Sequence, residues 1–321
     1  MTRQLYPKIS VNRHFQLDVG DGHQLYVECS GNENGISVIY LHGGPGAGSS
    51  EYLRQYFNPE KYHIILFDQR GCGRSTPSPS LENNTLSHLI EDIEIIRRFL
   101  NIDKWLVAGG SWGTTLALAY AEQHFTHVSG FVLRGIFLGS DEEYNWLYKK
   151  EGAANFFPKY YRDFTSLLSD QQLKDPLVGY QALLTSDNEL LKVTASKAWY
   201  VWESRLSSIE HSAKALSRID DAHQALCMAQ ISNYYFVNGC FLQRPLLEAV
   251  QSFKHLPAII IHGRYDMVCQ LHHADLLTQV WSNAHLQILP CAGHSGFEQQ
   301  TVDAFCKATD TMANFLEELD E

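Results

Sequence analysis

The stretch VAGGSWGTT, residues 107–115, places one serine between glycines at the point where an apolar run ends. The preceding KWLVA predicts a strand and the following TTLALAYAEQH predicts a helix, so Ser111 lies at a strand-to-helix junction. Gly109 and Gly113 stand two residues to either side and tolerate both a crowded backbone and a positive φ. The pattern G-x-S-x-G in this context is typical of a tight turn that exposes a nucleophilic serine.

Five further apolar runs, each followed by glycine or polar turn residues, resemble KWLVA in composition. Such runs predict strands that are buried on both faces of a parallel sheet covered by helices. Residues 86–100 carry apolar side chains at helical spacing and predict an amphipathic helix. The runs are ISVIYLHGG, YHIILFDQRG, VSGFVLRG, AIIIHGRYD and LQILPCAGH.

The alternation of strands and helices breaks between residues 138 and 245, where the sequence becomes aromatic, polar and helical in pattern. We therefore predict a helical cap, residues 138–245, inserted into a catalytic core formed by residues 1–137 and 246–321. The predicted fold class is α/β, with a mostly parallel central sheet flanked by helices. Neither an internal repeat nor a long flexible linker interrupts the chain.

A serine nucleophile also needs donors for the oxyanion that forms on the attacked carbonyl group. Trp112 is the first residue of the predicted helix after Ser111, and we expect its amide to point toward this oxygen. The segment HGGPG, residues 42–46, follows a strand and offers the amides of Gly43 and Gly44 as further donors. A plain β-turn is the alternative interpretation of this segment.

A base and an acid that orients it follow the cap in the sequence. Asp266 ends the run AIIIHGRYD, and His294 ends the run LQILPCAGH. The order Ser111, Asp266, His294 is the one expected for the α/β-hydrolase fold, with each residue at the carboxyl end of a strand. The sequence therefore predicts a serine hydrolase of this fold.

Composition excludes several other classes of protein. The chain of 321 residues is 45% hydrophobic, which is enough for a large core, and its formal charge is -11 with no Lys/Arg cluster. This charge argues against nucleic acid and against an anionic membrane surface as partners. No stretch approaches the roughly 18 apolar residues of a spanning helix, and the first residues lack an apolar segment. We expect a cytoplasmic protein and predict no oligomeric state.

Seven scattered cysteines predict free thiols rather than a disulfide framework. Cys269 with His272 and His273, or Cys291 with His294, contains metal-ligand residue types without the paired spacing of a structural zinc site. The sequence analysis therefore predicts neither a metal nor a cofactor.

Taken together, these motifs make the chain similar to the proline iminopeptidases, α/β hydrolases that release an N-terminal proline from peptides. The similarity extends from about residue 6 to residue 315. It includes HGGPG, DQRGCGRS, GGSWG, LRGIF, AWYVWE, GRYD and AGHS. The resemblance implies peptide substrates with a free N-terminal proline.

The resemblance also implies roles for individual residues. Ser111, Asp266 and His294 correspond to the triad, and Glu203 to the cap carboxylate that holds the α-ammonium group of the substrate. A carboxylate in a partly dry pocket favours an ammonium group over a neutral internal amide. The alternative for Glu203 is an ordinary exposed position.

Four more positions correspond to the substrate pocket of the family. Arg134, Phe137 and Tyr148 match pocket positions, where an aromatic wall suits a pyrrolidine ring. Plain core packing is the alternative for Phe137 and Tyr148. SNYYF, residues 232–236, departs from the family pattern Glu-Asn-His-Tyr-Phe, so Ser232 replaces a second amine-binding carboxylate.

This departure leaves alternatives open. Loss of one carboxylate weakens ammonium binding or widens specificity, which suits a broader aminopeptidase or an esterase of the same fold. A non-catalytic binding protein is the alternative from another class, although such proteins typically lose a member of the triad.

Overall fold

The computed structural model describes residues 4–209 and 221–320. Within these residues, eight strands form one sheet in the order β1-β2-β4-β3-β5-β6-β7-β8. The strands are β1 (Val11–Asp18), β2 (Gln24–Gly31), β3 (Ile36–Leu41), β4 (Tyr62–Phe67), β5 (Trp105–Ser111), β6 (Val128–Ile136), β7 (Ala258–Gly263) and β8 (Ala284–Leu289).

The helices of the described residues lie between these strands and after the last one. The α-helices are α1 (Leu86–Phe99), α2 (Trp112–His124), α3 (Asp141–Tyr148), α4 (Pro158–Thr165), α5 (Pro176–Leu184), α6 (Glu189–Ser207), α7 (Ala222–Val237), α8 (Leu246–Ala249), α9 (Leu271–Val280) and α10 (Gln299–Asp320). Short 3-10 helices occur at Glu51–Tyr56, Phe125–His127, Ala153–Asn155, Gln172–Lys174, Gly239–Phe241 and Val250–Ser252. None of the described helices combines the length and apolar character that crossing a membrane requires.

The predicted α/β fold with a mostly parallel sheet is confirmed. Strands β3 to β8 pair in parallel, and each of the six predicted runs contains one of them. The sequence analysis did not predict β1 and β2, which pair antiparallel with each other and extend the sheet beyond β4. Only partly buried side chains alternate along β1, so its apolar pattern is weak.

Burial on both faces holds for the central strands, because helices cover both sides of the sheet. In β3, Ile39 and Leu41 pack with α1 and α2, while Val38 and Tyr40 pack with α10 on the opposite face. The prediction of burial on both faces is wrong for β8, where only Leu289 is fully buried. This strand forms the edge of the sheet, so several of its side chains face solvent.

The turn after β5 brings α2 unusually close to β3. A Cβ atom added to Gly113 would lie 2.0 Å from the carbonyl oxygen of Leu41, and one added to Gly109 would lie 3.0 Å from the carbonyl oxygen of Gly113. Position 113 therefore requires glycine for steric reasons, and position 109 leaves little space for a side chain. Ser111 lies between these two glycines.

Between β6 and β7 the described residues form helices and no strands, in agreement with the pattern of the predicted cap. Aromatic rings hold these helices together: Phe164 lies 4.5 Å from Tyr180 and 5.6 Å from Trp202, measured between ring centroids. The division into a cap of residues 138–245 and a core stays a prediction. Residues 210–220 of that cap, and residues 1–3 and 321 of the core, lie outside the described part of the chain.

We expect Gly113→Ala to lower the free energy of unfolding by about 3 kcal/mol, because the new methyl group meets backbone on β3. Denaturant unfolding would measure this loss. Gly22→Ala is the control, since Gly22 has a φ of +77° but open space around its missing side chain. Its cost is backbone strain of about 1 kcal/mol. Equal losses in the two variants would contradict the close-packing explanation.

Candidate active site

Ser111 occupies a strained backbone position between β5 and α2. Its φ is 58° and its ψ is -129°, a conformation that side-chain-bearing residues rarely adopt. The turn projects the side chain into a cavity of about 350 Å³ at the carboxyl ends of the parallel strands. Strain of this kind is typical of functional sites, where the surrounding structure holds it in place.

Asp266 and His294 come together at the same edge of the sheet. His294 Nδ1 lies 2.7 Å from Asp266 Oδ2, and His294 lines the cavity with Ser111. Asp266 Oδ1 accepts hydrogen bonds from the amides of Val268 at 2.9 Å and Cys269 at 2.8 Å. Burial alone would raise the pKa of Asp266, but His294 outweighs this and holds the pKa below its usual range. The carboxylate is therefore ionised and fixed toward the imidazole.

Two residues beside this pair were not predicted from sequence. Gly135 has a φ of +55°, and a Cβ atom there would lie 3.0 Å from His294 Cε1, so a larger residue would displace the imidazole. His262 accepts a hydrogen bond from the Ile136 amide at 3.2 Å through Nδ1, and its Nε2 donates to the Cys269 carbonyl at 2.8 Å. Gly135 lies in LRGIF and His262 in AIIIHGRYD. Nothing in these stretches of sequence marks either residue as part of a site.

The proposed oxyanion donors lie around Ser111. Gly43 and Gly44 line the cavity, and a Cβ atom on Gly43 would lie 3.4 Å from the Cβ of Ser111. Trp112, which is fully buried, is the first residue of α2. The glycine loop and the first residue of the helix therefore both lie next to Ser111.

Gln69, another residue missed by the sequence analysis, connects the two oxyanion segments. Its amide donates to His42 Nε2 at 3.0 Å, and its side-chain nitrogen donates to the His42 carbonyl at 2.9 Å. Its side-chain oxygen accepts from Trp112 Nε1 at 2.9 Å. Because His42 Nε2 is an acceptor, Nδ1 carries the proton and donates to the Gly43 carbonyl at 3.0 Å. The side chain of Gln69 thus connects His42, at the start of the glycine loop, with Trp112, at the start of α2.

Glu203 extends into the cavity from helix α6 of the predicted cap. It is 8% exposed, and it is the only carboxylate among the described residues that line the cavity. The hydroxyl of Tyr148 donates to Glu203 Oε1 at 2.6 Å. Burial raises the pKa of Glu203 to about 7, although the Tyr148 hydrogen bond opposes this effect. No lysine or arginine of the described residues forms an ion pair with this carboxylate.

The remaining predicted pocket residues differ in position. Phe137 and Arg134 line the cavity, whereas Tyr148 does not and reaches it only through Glu203. Arg134 donates from Nη1 to the carbonyl of His294 at 3.0 Å, so it supports the loop of the imidazole. Ser232 is fully buried outside the cavity lining, where its hydroxyl donates to the Pro45 carbonyl at 2.9 Å. Of the predicted pocket residues, Arg134, Phe137 and Glu203 therefore line the cavity, whereas Tyr148 and Ser232 do not.

The cavity contains a thiol but no metal-ligand cluster. All seven cysteines are free, as predicted. Cys269 lines the cavity, and burial raises the pKa of its thiol well above the ordinary value, which disfavours the nucleophilic thiolate. Among the described residues, the only group of three potential metal ligands comprises Glu142, His272 and His273, and it does not line the cavity.

Comparison with known proteins places the chain in a family. Residues 36–301 match the family model of the alpha/beta hydrolase fold. The chain is 43% identical over 311 residues to a proline iminopeptidase of Xylella fastidiosa, covering 96% of this chain and 99% of that protein. It is 42% identical to proline iminopeptidases of Neisseria meningitidis, covering 94% and 96%, and of Arabidopsis thaliana, covering 92% and 78%.

Solved structures with low sequence identity share the fold. An esterase from Exiguobacterium antarcticum superposes with a TM-score of 0.61 at 18% identity, covering 95% of this chain and 98% of that one. An esterase from a Rhodococcus species gives the same TM-score at 17% identity, covering 95% and 99%. These structures share only the fold of the chain, whereas the proline iminopeptidases are similar to it in sequence over nearly its whole length. The chain belongs to the proline iminopeptidase family of α/β hydrolases.

Proposed function

We propose that the protein is a serine exopeptidase that releases proline from the N-terminus of peptides. The observation that supports this function best is the buried carboxylate of Glu203, which faces the same cavity as Ser111 and His294. An uncompensated buried carboxylate attracts a cation, and a peptide carries one at its N-terminus. The names of the 42–43% identical relatives agree with this activity.

The reaction proceeds in two halves. The hydroxyl of Ser111 attacks the carbonyl carbon of the N-terminal residue while His294 takes the proton. The tetrahedral intermediate collapses, the C–N bond breaks, and the leaving amine receives that proton from His294. Water, activated in turn by His294, then hydrolyses the prolyl ester on Ser111 and releases proline. Asp266 holds the imidazole in the required tautomer through the 2.7 Å hydrogen bond.

Stabilisation of the oxyanion supplies much of the rate enhancement in this mechanism. The amide of Trp112 and that of Gly44 or Gly43 donate to the negative oxygen of the intermediate. Each donor in such a site lowers the barrier by about 2.7–4 kcal/mol. The positions of these amides depend on the loop and the helix that Gln69 connects.

Selection for the N-terminus is the role of Glu203. The carboxylate pairs with the substrate ammonium group, and the hydroxyl of Tyr148 keeps the carboxylate oriented. Phe137 supplies an aromatic surface for the pyrrolidine ring. Because an internal residue has no ammonium group, it leaves the buried carboxylate unpaired, and binding is penalised.

The second candidate function is a broader aminopeptidase or esterase activity, and the observation that favours it is the serine at position 232. The cavity contains one carboxylate where the family pattern suggests two, and the short side chain of Ser232 binds the Pro45 carbonyl instead. Weaker selection for the amine would admit alanine amides or simple esters. A panel of proline and alanine amides and an acetate ester separates this function from strict prolyl release.

The first test is hydrolysis of prolyl naphthylamide in the presence of a metal chelator. We expect the wild-type protein to release the amine, and Ser111→Ala to lose activity by a factor of about 10⁴ or more, since no other group supplies the nucleophile. Thr114→Ser is a matched control in the same helix turn. Equal activity in Ser111→Ala and the wild type would overturn the proposal.

The pKa of Glu203 predicts a pH dependence specific to substrates with a free amine. The charged form exists above the pKa of about 7 and is lost as the pH falls through that value. We therefore expect the ratio of kcat/KM for prolyl naphthylamide to kcat/KM for an acetate ester to rise with pH up to about 7, and to fall again where the amine of the substrate loses its proton, at about pH 8. Taking the ratio cancels any pH dependence of the steps that both substrates share.

Glu203→Gln is the control for this pH dependence, because the variant keeps the shape of the side chain without its charge. Its ratio should be lower and independent of pH between about 5.5 and 7, where the amine of the substrate stays protonated. If the variant retained the rise seen in the wild type, the ammonium-binding role of Glu203 would be wrong.

Gln69→Leu should lower kcat at least tenfold with little change in KM, because it frees both oxyanion segments without touching the substrate. Binding of a prolyl boronate, which mimics the tetrahedral intermediate, should weaken by the same factor. Asn233→Leu is the control, since it removes another buried amide hydrogen bond, to the Leu177 carbonyl. An equal loss of kcat in both variants would point to general destabilisation instead.

A further inference from the structure

Three potential metal ligands meet outside the active-site cavity, where the predicted cap joins the core. Glu142 lies in the first turn of α3, and His272 and His273 lie in the first turn of α9. One ligand atom from each residue lies within 4.8 Å of the others. His272 Nε2 and Glu142 Oε1 are 3.1 Å apart, and the rings of His272 and His273 lie 3.8 Å apart between centroids.

His273 supplies a second observation at this place. The residue is 3% exposed, and its Nε2 has no hydrogen-bond partner in the described part of the chain. A buried polar atom without a partner requires an explanation, and a bound ion or water that fixes the imidazole is the usual one. The buried imidazole is also held in place by its surroundings, so a metal would not have to order it first.

The type and reach of the ligands favour a transition metal. Two imidazoles and one carboxylate suit Zn²⁺, whereas Mg²⁺ prefers oxygen ligands and retains its water. Zinc ligands lie about 2.0–2.2 Å from the ion, so two ligand atoms of a tetrahedral site are about 3.4 Å apart. Glu142 and His272 have side chains that are 66% and 45% exposed, so they are free to make the small adjustment required.

Charge makes Glu142 the essential member of the group. The N-terminal end of a helix disfavours a cation, and both histidines lie at that end of α9. The carboxylate of Glu142 offsets this effect and neutralises part of the charge of the ion. Loss of the Glu142 carboxylate should therefore weaken metal binding strongly.

We propose that Glu142, His272 and His273 form a Zn²⁺-binding site that clamps helix α3 to helix α9. The same two regions already share a hydrogen bond, from Trp146 Nε1 to the carbonyl of Met267 at 2.9 Å. Met267 belongs to the loop between Asp266 and α9, so the clamp secures the loop that carries the triad carboxylate. The ion takes no part in the proposed hydrolysis and changes only the stability of this junction.

Zinc titration of the chelator-treated protein tests the site, with free thiols blocked beforehand to remove competing ligands. Calorimetry should show one equivalent bound by the wild type, and Zn²⁺ should raise its unfolding temperature. Mg²⁺ should not compete. Glu142→Gln and His272→Asn, both at exposed side chains, should each weaken binding at least tenfold and abolish the thermal shift.

His285→Asn is the matched control, because His285 is an exposed histidine on β8 outside the group. It should bind Zn²⁺ like the wild type. Binding that is equally strong in the wild type and in both site variants would overturn the proposal. Hydrolysis of prolyl naphthylamide by the chelated protein is measured in parallel, so a failure of the zinc site is distinguishable from a failure of the proposed peptidase activity.

Discussion

The contact between helix α2 and strand β3 is the constraint on which the active site depends. A Cβ atom at position 113 would lie 2.0 Å from the carbonyl oxygen of Leu41. Only glycine therefore allows the helix to come this close to the strand. Ser111, in the same turn, has a positive φ. The contact also places the start of α2 beside the loop that begins at His42. The proposed nucleophile and the proposed oxyanion donors therefore lie around one close backbone contact.

In the proposed function, the predicted cap adds selectivity by desolvation. Helix α6 buries Glu203 in a cavity whose other described lining residues carry no carboxylate. Burial raises the pKa of Glu203 to about 7, so the group is poised to lose its proton when a cation binds. Ser232 makes a different contact, since its hydroxyl donates to the Pro45 carbonyl and so connects helix α7 with the loop after β3. The buried charge and this connection thus lie on two different helices of the predicted cap.

Sequence patterns predicted the parallel strands and the candidate triad because both depend on local features. An apolar run ending in glycine marks a strand end, and the strand ends bring Asp266 and His294 within 2.7 Å. Gln69 was missed because its role depends on partners at 42 and 112, which only the folded chain brings together. The weakly apolar edge strand β1 and the buried position of Ser232 were missed for the same reason: neighbours in space decide them.

The proposed mechanism requires Ser111 to carry the acyl group between the two halves of the reaction. The most direct test is intact-protein mass spectrometry, followed by peptide mapping, on samples quenched during turnover of an activated proline ester. The mechanism predicts one prolyl group per chain, attached to Ser111. Turnover without an adduct on Ser111, or an adduct on Cys269, would contradict it.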